Sequence, residues 1–228
     1  DLVPDDRPLS AAQEDALLEA LARLHALYWG SDALRLPWLT PPLAPVDLLS
    51  PATAERRLAE GPSALYEWVR AGWSTLRARA PEPVVALLRD PERAIGRAWG
   101  GLPRTLLHGD VRLVNVAFPN GRAALFDWQF VGPGAATCDL GCYLIGNPGR
   151  RARAPEVVIA RYRGFLEAHL GRAVPEDLWA RLLDAGLLYN AARLLWDRAL
   201  DLADGAPGAA AEWRWWIDRL ARPAARAE

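Results

Sequence analysis

Between Arg104 and Phe126 the sequence abandons the helical repeat that governs most of the chain, and this break limits the folds open to it. Arg104-Thr105-Leu106-Leu107 is a short β-type run, and Asn115–Phe118 and Ala123–Phe126 are two more. The last two are joined through Pro119-Asn120-Gly121. Asn and Gly both tolerate positive φ, so the dipeptide between apolar runs predicts a tight hairpin. Around this segment the spacing is helical. Ser10-Ala11-Ala12-Gln13 is a capping box, in which side chains satisfy the free backbone donors of a helix start. Leu17, Leu18, Leu21, Leu24, Leu27 and Tyr28 then recur at helical spacing, and Gly30 ends the run. The proline-rich stretch from Pro37 to Pro51 predicts an irregular connection. Helices are predicted from Ser63 to Arg79, with Leu65, Val69, Gly72 and Leu76 on one face, and from Val84 to Trp99. After Pro133-Gly134 the pattern predicts a short helix from Cys138 to Ile145 and others starting at Pro155 and Pro175. A last helix carries Trp213, Trp216, Ile217 and Leu220 at i, i+3, i+4, i+7. The expected fold is α+β, mainly α: a helical lobe with a small embedded β-hairpin.

Composition narrows the function classes. The chain has 228 residues, 51% apolar and 24% charged, as in ordinary globular proteins. Its net charge is -1 and no basic stripe is present, so no nucleic-acid partner is expected. All 27 basic residues are arginine. A mechanism that needs lysine therefore cannot be completed inside this chain. Cys138 and Cys142 fit neither a zinc pattern nor a Cys-x-x-Cys redox pattern and read as reduced, buried residues. No apolar run approaches the ~18 residues of a membrane span and no signal peptide opens the chain, so no membrane partner and a cytoplasmic location are expected. The abrupt start at Asp1-Leu2-Val3-Pro4, without methionine, predicts a segment of a longer protein. His25 falls inside the first helix and reads as a partly buried structural histidine.

The residues with chemical potential cluster at the hairpin. His108, Asp110 and Asn115 form His-x-Asp-x-x-x-x-Asn, and Asp127 follows. With 3 His, 16 Asp and 4 Asn in the chain, chance supplies about 0.004 such triplets. Phosphoryl transfer requires such groups. Charge on the phosphate chain must be neutralised, and a carboxylate must orient or accept the proton of the attacking hydroxyl. Asn115 opens the first hairpin strand and Asp127 closes the second, so both lie at one end of the hairpin. Two hard oxygen ligands there suit Mg²⁺. Arg112 reads equally as a contact to phosphate or substrate and as a salt bridge that supports the loop. Gln129 reads equally as a neighbour of the metal site and as part of the surrounding polar network.

The segment from Leu106 to about Ile145 resembles the signature of aminoglycoside phosphotransferase-like and choline kinase-like enzymes, which share a protein-kinase-like fold. The resemblance rests on His108-Gly109-Asp110 with Asn115, on Asp127-Trp128-Gln129, on Gly132 and on Asp139-Leu140. It implies Asp110 as catalytic base, with His108 and Arg112 beside it in the catalytic loop, and Asn115 and Asp127 as magnesium ligands. It further implies that His108 and Asp139 brace the loop by hydrogen bonds. The cofactors implied are Mg²⁺ and ATP or GTP, and the implied activity is phosphorylation of a hydroxyl on a small molecule. Many relatives carry His-Pro-Gly before the asparagine where this chain reads Arg112-Leu113-Val114, which shifts the expectation away from aminoglycosides. The family's glycine-rich strand pair, phosphate-holding lysine and glutamate partner belong to an N-terminal lobe. All 228 residues are accordingly expected to be the C-terminal lobe, with the nucleotide-clamping lobe absent from this chain. Gly132-Pro133-Gly134 does not open a helix and offers no replacement phosphate cradle.

The resemblance places the long helix beside a substrate cleft. Asn190, Arg193, Asp197, Asp201 and Asp204 form a polar stripe along it. Its carboxylates, with some of the 11 tryptophans, would receive a cationic substrate. A solvated helix face explains the same stripe. Two rival functions remain at this stage: a degenerate kinase lobe serving as a binding module, and a metal hydrolase built on His108, Asp110 and Asp127.

Overall fold

The computed structural model describes residues 7–225; the opening Asp1–Pro4 lies outside them. In chain order come α1 (Ala11–Leu27), α2 (Ala44–Leu48), α3 (Pro51–Glu60), α4 (Ala64–Arg79), α5 (Glu82–Arg89) and α6 (Pro91–Trp99). A strand region follows, with β1 (Thr105–Leu107), β2 (Val116–Ala117), β3 (Ala124–Leu125) and β4 (Gly132–Gly134). Helices α7 (Thr137–Gly146), α8 (Pro155–Leu170), α9 (Glu176–Ala203) and α10 (Ala209–Ala225) complete the chain. The protein is mainly helical with a small antiparallel hairpin, the architecture of a protein-kinase-like C-terminal lobe.

The chain divides into two compact units. The first comprises residues up to Pro42 together with Gly101–Gly186. Its first helix begins as the sequence requires: Ser10 Oγ accepts from Gln13 N at 3.2 Å, and Gln13 Oε1 accepts from Ser10 N at 2.9 Å. Leu17, Leu18, Leu21 and Ala22 of α1 are fully buried, and α1 packs mainly on α8. Burial of each leucine contributes about 1.5–3 kcal/mol. Helix α1 also holds the strand region, because Thr105 Oγ1 donates to His25 O at 2.6 Å and Gly30 N to Arg104 O at 2.8 Å. Helix α7 lies tight against the first turns of α9. A side chain at Gly186 would collide with the Thr137 backbone, and the Thr137 hydroxyl donates to Leu182 O.

The hairpin is β2 and β3, with Val116 opposite Leu125 and Ala117 opposite Ala124. Asn120 and Gly121 both take positive φ, 51° and 75°, as the dipeptide predicts. The sequence reading missed β4. Gly132-Pro133-Gly134 carries no β signal, yet it pairs antiparallel with β1 at Leu107↔Gly132. Glycine is needed at 132 because a Cβ there would strike Thr40 O.

The second unit comprises Leu43–Gly100 and the residues from Leu187 onward. Here α3 packs on α4 and α5 on α10. Gly72 of α4 admits Trp196, Trp99 stacks on Tyr189 with centroids 5.5 Å apart, and Trp216 is fully buried. Three expectations need correction. The stretch Pro37–Pro51 is not wholly irregular, because Pro45 and Pro51 lie in the first turns of α2 and α3. A missing N–H costs nothing there. The predicted Val84–Trp99 helix is two helices, broken where Asp90 caps the start of α6 and Pro91 opens it. Leu65, expected on the buried face of α4, is exposed, while Val69, Gly72 and Leu76 are buried.

Candidate catalytic site

His108, Asp110, Arg112 and Asn115 lie on one loop of the first unit. Gly109 turns the chain with φ 86°, and Asp110 follows with its side chain fully buried. Such burial of a carboxylate requires partners. Arg112 Nε donates to Asp110 Oδ1 at 2.9 Å and Arg112 Nη2 to Oδ2 at 2.6 Å. Asn115 Nδ2 donates to Asp110 Oδ2 at 3.0 Å and to Asp110 O at 3.1 Å. The hydrogen bonds it donates to the Asp110 carboxylate hold the Arg112 guanidinium above its ordinary pKa, against the opposing effect of partial burial. Of the two readings of Arg112, the structure shows the salt bridge.

The same bonds orient Asn115. Its amide nitrogen faces two acceptors, so its Oδ1 points elsewhere, and among the described residues that oxygen takes no hydrogen bond. Phe126 N donates to Asn115 O at 3.1 Å, which continues the β2–β3 register and puts Asp127 one residue beyond, at the same hairpin end. Asp127 has φ 61°, a conformation non-glycine residues seldom adopt outside special sites. Its Oδ2 accepts from Gln129 Nε2 at 3.2 Å, and the side chain faces solvent. Gln129 thus belongs to the polar network around Asp127.

Among the described residues, no group of three or more His, Cys, Asp and Glu is placed to hold a metal ion. Magnesium does not need one, since it binds through one or two protein oxygens and fills its octahedron with water and substrate phosphates. Asn115 Oδ1 and the Asp127 carboxylate are hard donors of that kind, so the residues present fit Mg²⁺.

Four polar residues hold this loop, three of them from the side of His108. His108, fully buried, accepts from Asp110 N at its Nδ1 (3.2 Å) and donates from Nε2 to Phe126 O (2.9 Å). It therefore links the loop to the residue before Asp127, with Trp128 edge-on at 4.6 Å. Asp139, in the first turn of α7, accepts from His108 N at 2.7 Å on Oδ2 and from Gly109 N at 2.8 Å on Oδ1. His25 Nε2 lies 3.0 Å from the same Oδ2, and His25 Nδ1 lies 2.6 Å from the Tyr162 hydroxyl. Burial alone would raise the Asp139 carboxyl, but hydrogen bonds and charge from His25, with Gly109 N, leave it below the ordinary range. His25 is completely buried, more so than expected, and its partner lies 114 residues away.

Asn147 was not singled out in the sequence. It accepts from Leu113 N at 2.8 Å and donates to Val111 O at 3.0 Å and Tyr143 O at 2.8 Å, so it clamps the loop from the C-terminal end of α7. The only sequence signal is its place at the end of a mostly apolar helix.

The stripe on the long helix belongs to the second unit. Asn190 and Arg193 are buried, and Arg198 pairs with both Asp197 and Asp201. Burial holds the Asp201 carboxyl above its ordinary range, only partly offset by Arg198. The same unit holds a cavity of about 760 Å³, with Val46, Trp73, Leu76 and Leu88 on its wall and Asp47 and Glu55 among its polar lining. That volume is in the range of small-molecule sites.

A buried His-x-Asp loop braced by α7 and an Asn–Asp pair at one hairpin end thus sit within the protein-kinase-like architecture. The model of the phosphotransferase enzyme family (APH) matches residues 2–178, and the chain belongs to that family. Among solved structures it is similar to a choline/ethanolamine kinase family protein from Mesorhizobium loti, at 18% identity and a TM-score of 0.46 over 96% of this chain and 62% of that one. It is also similar to a choline kinase from Streptococcus pneumoniae, at 18% identity and a TM-score of 0.42 over 92% and 63%. The chain thus spans less than two thirds of either relative. No curated protein matches it.

Proposed function

We propose that this chain is the catalytic lobe of a phosphotransferase that moves the γ-phosphate of ATP or GTP to a hydroxyl on a small molecule. The observation that carries the reading is the Asp110 carboxylate, fully buried and fixed by Arg112 and Asn115 beside the end of the hairpin that carries Asp127. The acceptor oxygen attacks the γ-phosphorus, and the bond to the leaving nucleoside diphosphate breaks with its electron pair on the diphosphate. The acceptor proton passes to the Asp110 carboxylate. Asn115 Oδ1 and Asp127 would hold Mg²⁺, which when bound neutralises charge on the phosphate chain. His108, Asp139, His25 and Asn147 keep the loop in shape, which matters because in-line transfer depends on positioning.

The sequence contains no lysine to clamp the phosphates. We therefore assign the nucleotide clamp to residues outside these 228, and the 228 residues to the C-terminal lobe. Among the described residues no helix is long and apolar enough to cross a membrane, and the cytoplasm, where ATP is abundant, is the proposed location. In the native full-length protein Asp110→Asn should abolish turnover and leave nucleotide binding in place. An active Asp110→Asn protein would refute the assigned base. Loss of nucleotide binding in the wild type would favour a non-catalytic binding module.

A further inference from the structure

Every residue that lines the cavity of about 760 Å³ belongs to the second unit. None is a candidate catalytic residue, and none belongs to the polar stripe of α9. Helices α2 to α6 and their capping residues build it, with Ala192 as the one contribution from α9. Val46, Trp73, Leu76 and Leu88 are buried yet border this space, so its inner wall is apolar. Trp73 Nε1 donates to Leu49 O at 2.9 Å, which occupies its only donor and leaves the ring to meet a ligand as apolar surface. The charged side chains on the wall fall into two sets. Asp47 accepts from the Thr53 hydroxyl at 3.4 Å, Asp90 accepts from Arg93 N at 3.1 Å, and Arg89 pairs with Glu82 at 3.0 Å. Glu55, Glu92 and Arg77 are exposed, and among the described residues none of the three makes a hydrogen bond or ion pair. The unmatched charges where the cavity meets solvent are therefore of both signs.

We propose that this cavity is a small-molecule site in its own right and that its ligand is an amphipathic zwitterion. The ligand has an apolar body with an ammonium and a carboxylate at its head, as in an α-amino acid with a long aliphatic side chain. The body lies on Val46, Trp73, Leu76 and Leu88, where removal of apolar surface from water supplies most of the affinity. The carboxylate pairs with Arg77, and the ammonium pairs with Glu55 or Glu92. A ligand of one sign fits less well. A simple anion would meet two unmatched glutamates, and a simple cation would meet Arg77. The site stands on the second unit alone and does not rest on the phosphotransferase reading.

The test is calorimetric titration of the native full-length protein, without nucleotide, by straight-chain probes that share one carbon skeleton: 2-aminooctanoate, octanoate, octylamine and octanol. The amino acid should bind tightest and octanol weakest, with each missing head charge costing up to about fivefold, as for an exposed ion pair. Shortening the amino acid to 2-aminohexanoate should weaken binding by about tenfold, since each buried methylene is worth about fourfold. Arg77→Gln should erase the advantage of 2-aminooctanoate over octylamine. The double variant Glu55→Gln, Glu92→Gln should erase its advantage over octanoate. Val85→Trp, which fills the cavity from a half-buried wall position, should abolish binding of every probe. Ala52→Trp, from an exposed wall position, supplies the same block if Val85→Trp does not fold. Octanol binding as tightly as the amino acid would overturn the proposal, and so would octanoate or octylamine binding tightest. No binding by any probe, or full binding in a folded tryptophan variant, would overturn the site itself. None of these outcomes bears on the phosphotransferase reading, which is tested separately by turnover.

Discussion

Replacing Asp139 by asparagine preserves its size and removes its charge. In the wild type one buried carboxylate serves three donors: His108 N at 2.7 Å, Gly109 N at 2.8 Å and His25 Nε2 at 3.0 Å. An amide has a single oxygen. Whichever way it turns, its NH₂ group faces at least one of those donors, and a buried N–H loses its acceptor at a cost of about 1–3 kcal/mol. The donors that remain bonded lose a charged acceptor. Breaking a buried, hydrogen-bonded pair costs about 3–5 kcal/mol in all, and we expect Asp139→Asn to fall there. In urea this should lower the midpoint by about 1–2 M.

The pH dependence supplies a second signature. The folded carboxyl of Asp139 titrates below its unfolded value, so its stabilisation is complete above the ordinary range near pH 4. It is lost as pH falls through the folded value. The stability gap between wild type and Asp139→Asn should accordingly be widest near neutrality and shrink in acid. A variant within 1 kcal/mol of wild type at pH 7 would refute the reasoning, as would a gap that does not change with pH; that threshold is about the lower end of the cost of one orphaned buried N–H.

Two further substitutions probe the loop. Gly109→Ala forces a side chain onto φ 86° and within 2.7 Å of Phe130 Cβ. It should cost at least about 1 kcal/mol in denaturant titrations, and a neutral result would contradict the loop geometry. Asn147→Ala removes the acceptor of Leu113 N and the donor to Val111 O. Amide exchange at Leu113 should accelerate markedly, whereas unchanged protection would mean that Asn147 does not clamp the loop.

What the sequence made legible is what it encodes locally. The capping box at Ser10 and the Asn-Gly turn are each encoded within a few residues and appear as read, and the His108, Asp110 and Asn115 triplet, equally local, is brought together by the Asn115–Asp110 hydrogen bond. Asp127 was legible because a hairpin folds its ends together. What escaped is non-local or lacks a residue signal. Strand β4 is Gly-Pro-Gly, recognisable only through its partner β1. The tie of His25 to Asp139 crosses 114 residues, and that of Asn147 to Leu113 crosses 34. Polar residues on otherwise buried faces were the available clue, and the identity of their partners was not. The prolines misled for a different reason: a residue that breaks helix interiors is favoured in first turns, where Pro45, Pro51 and Pro91 are found.

The central claim is that this site transfers phosphate to a hydroxyl, and the most direct measurement follows the label from γ-labelled ATP or GTP. The native full-length protein would be incubated with Mg²⁺ and a panel of amino-alcohols, sugars and other polyols, with Asp110→Asn in parallel. The account predicts label on a small-molecule hydroxyl in the wild type and none with the variant. Label that never leaves the nucleotide, or that leaves equally with Asp110→Asn, would contradict it.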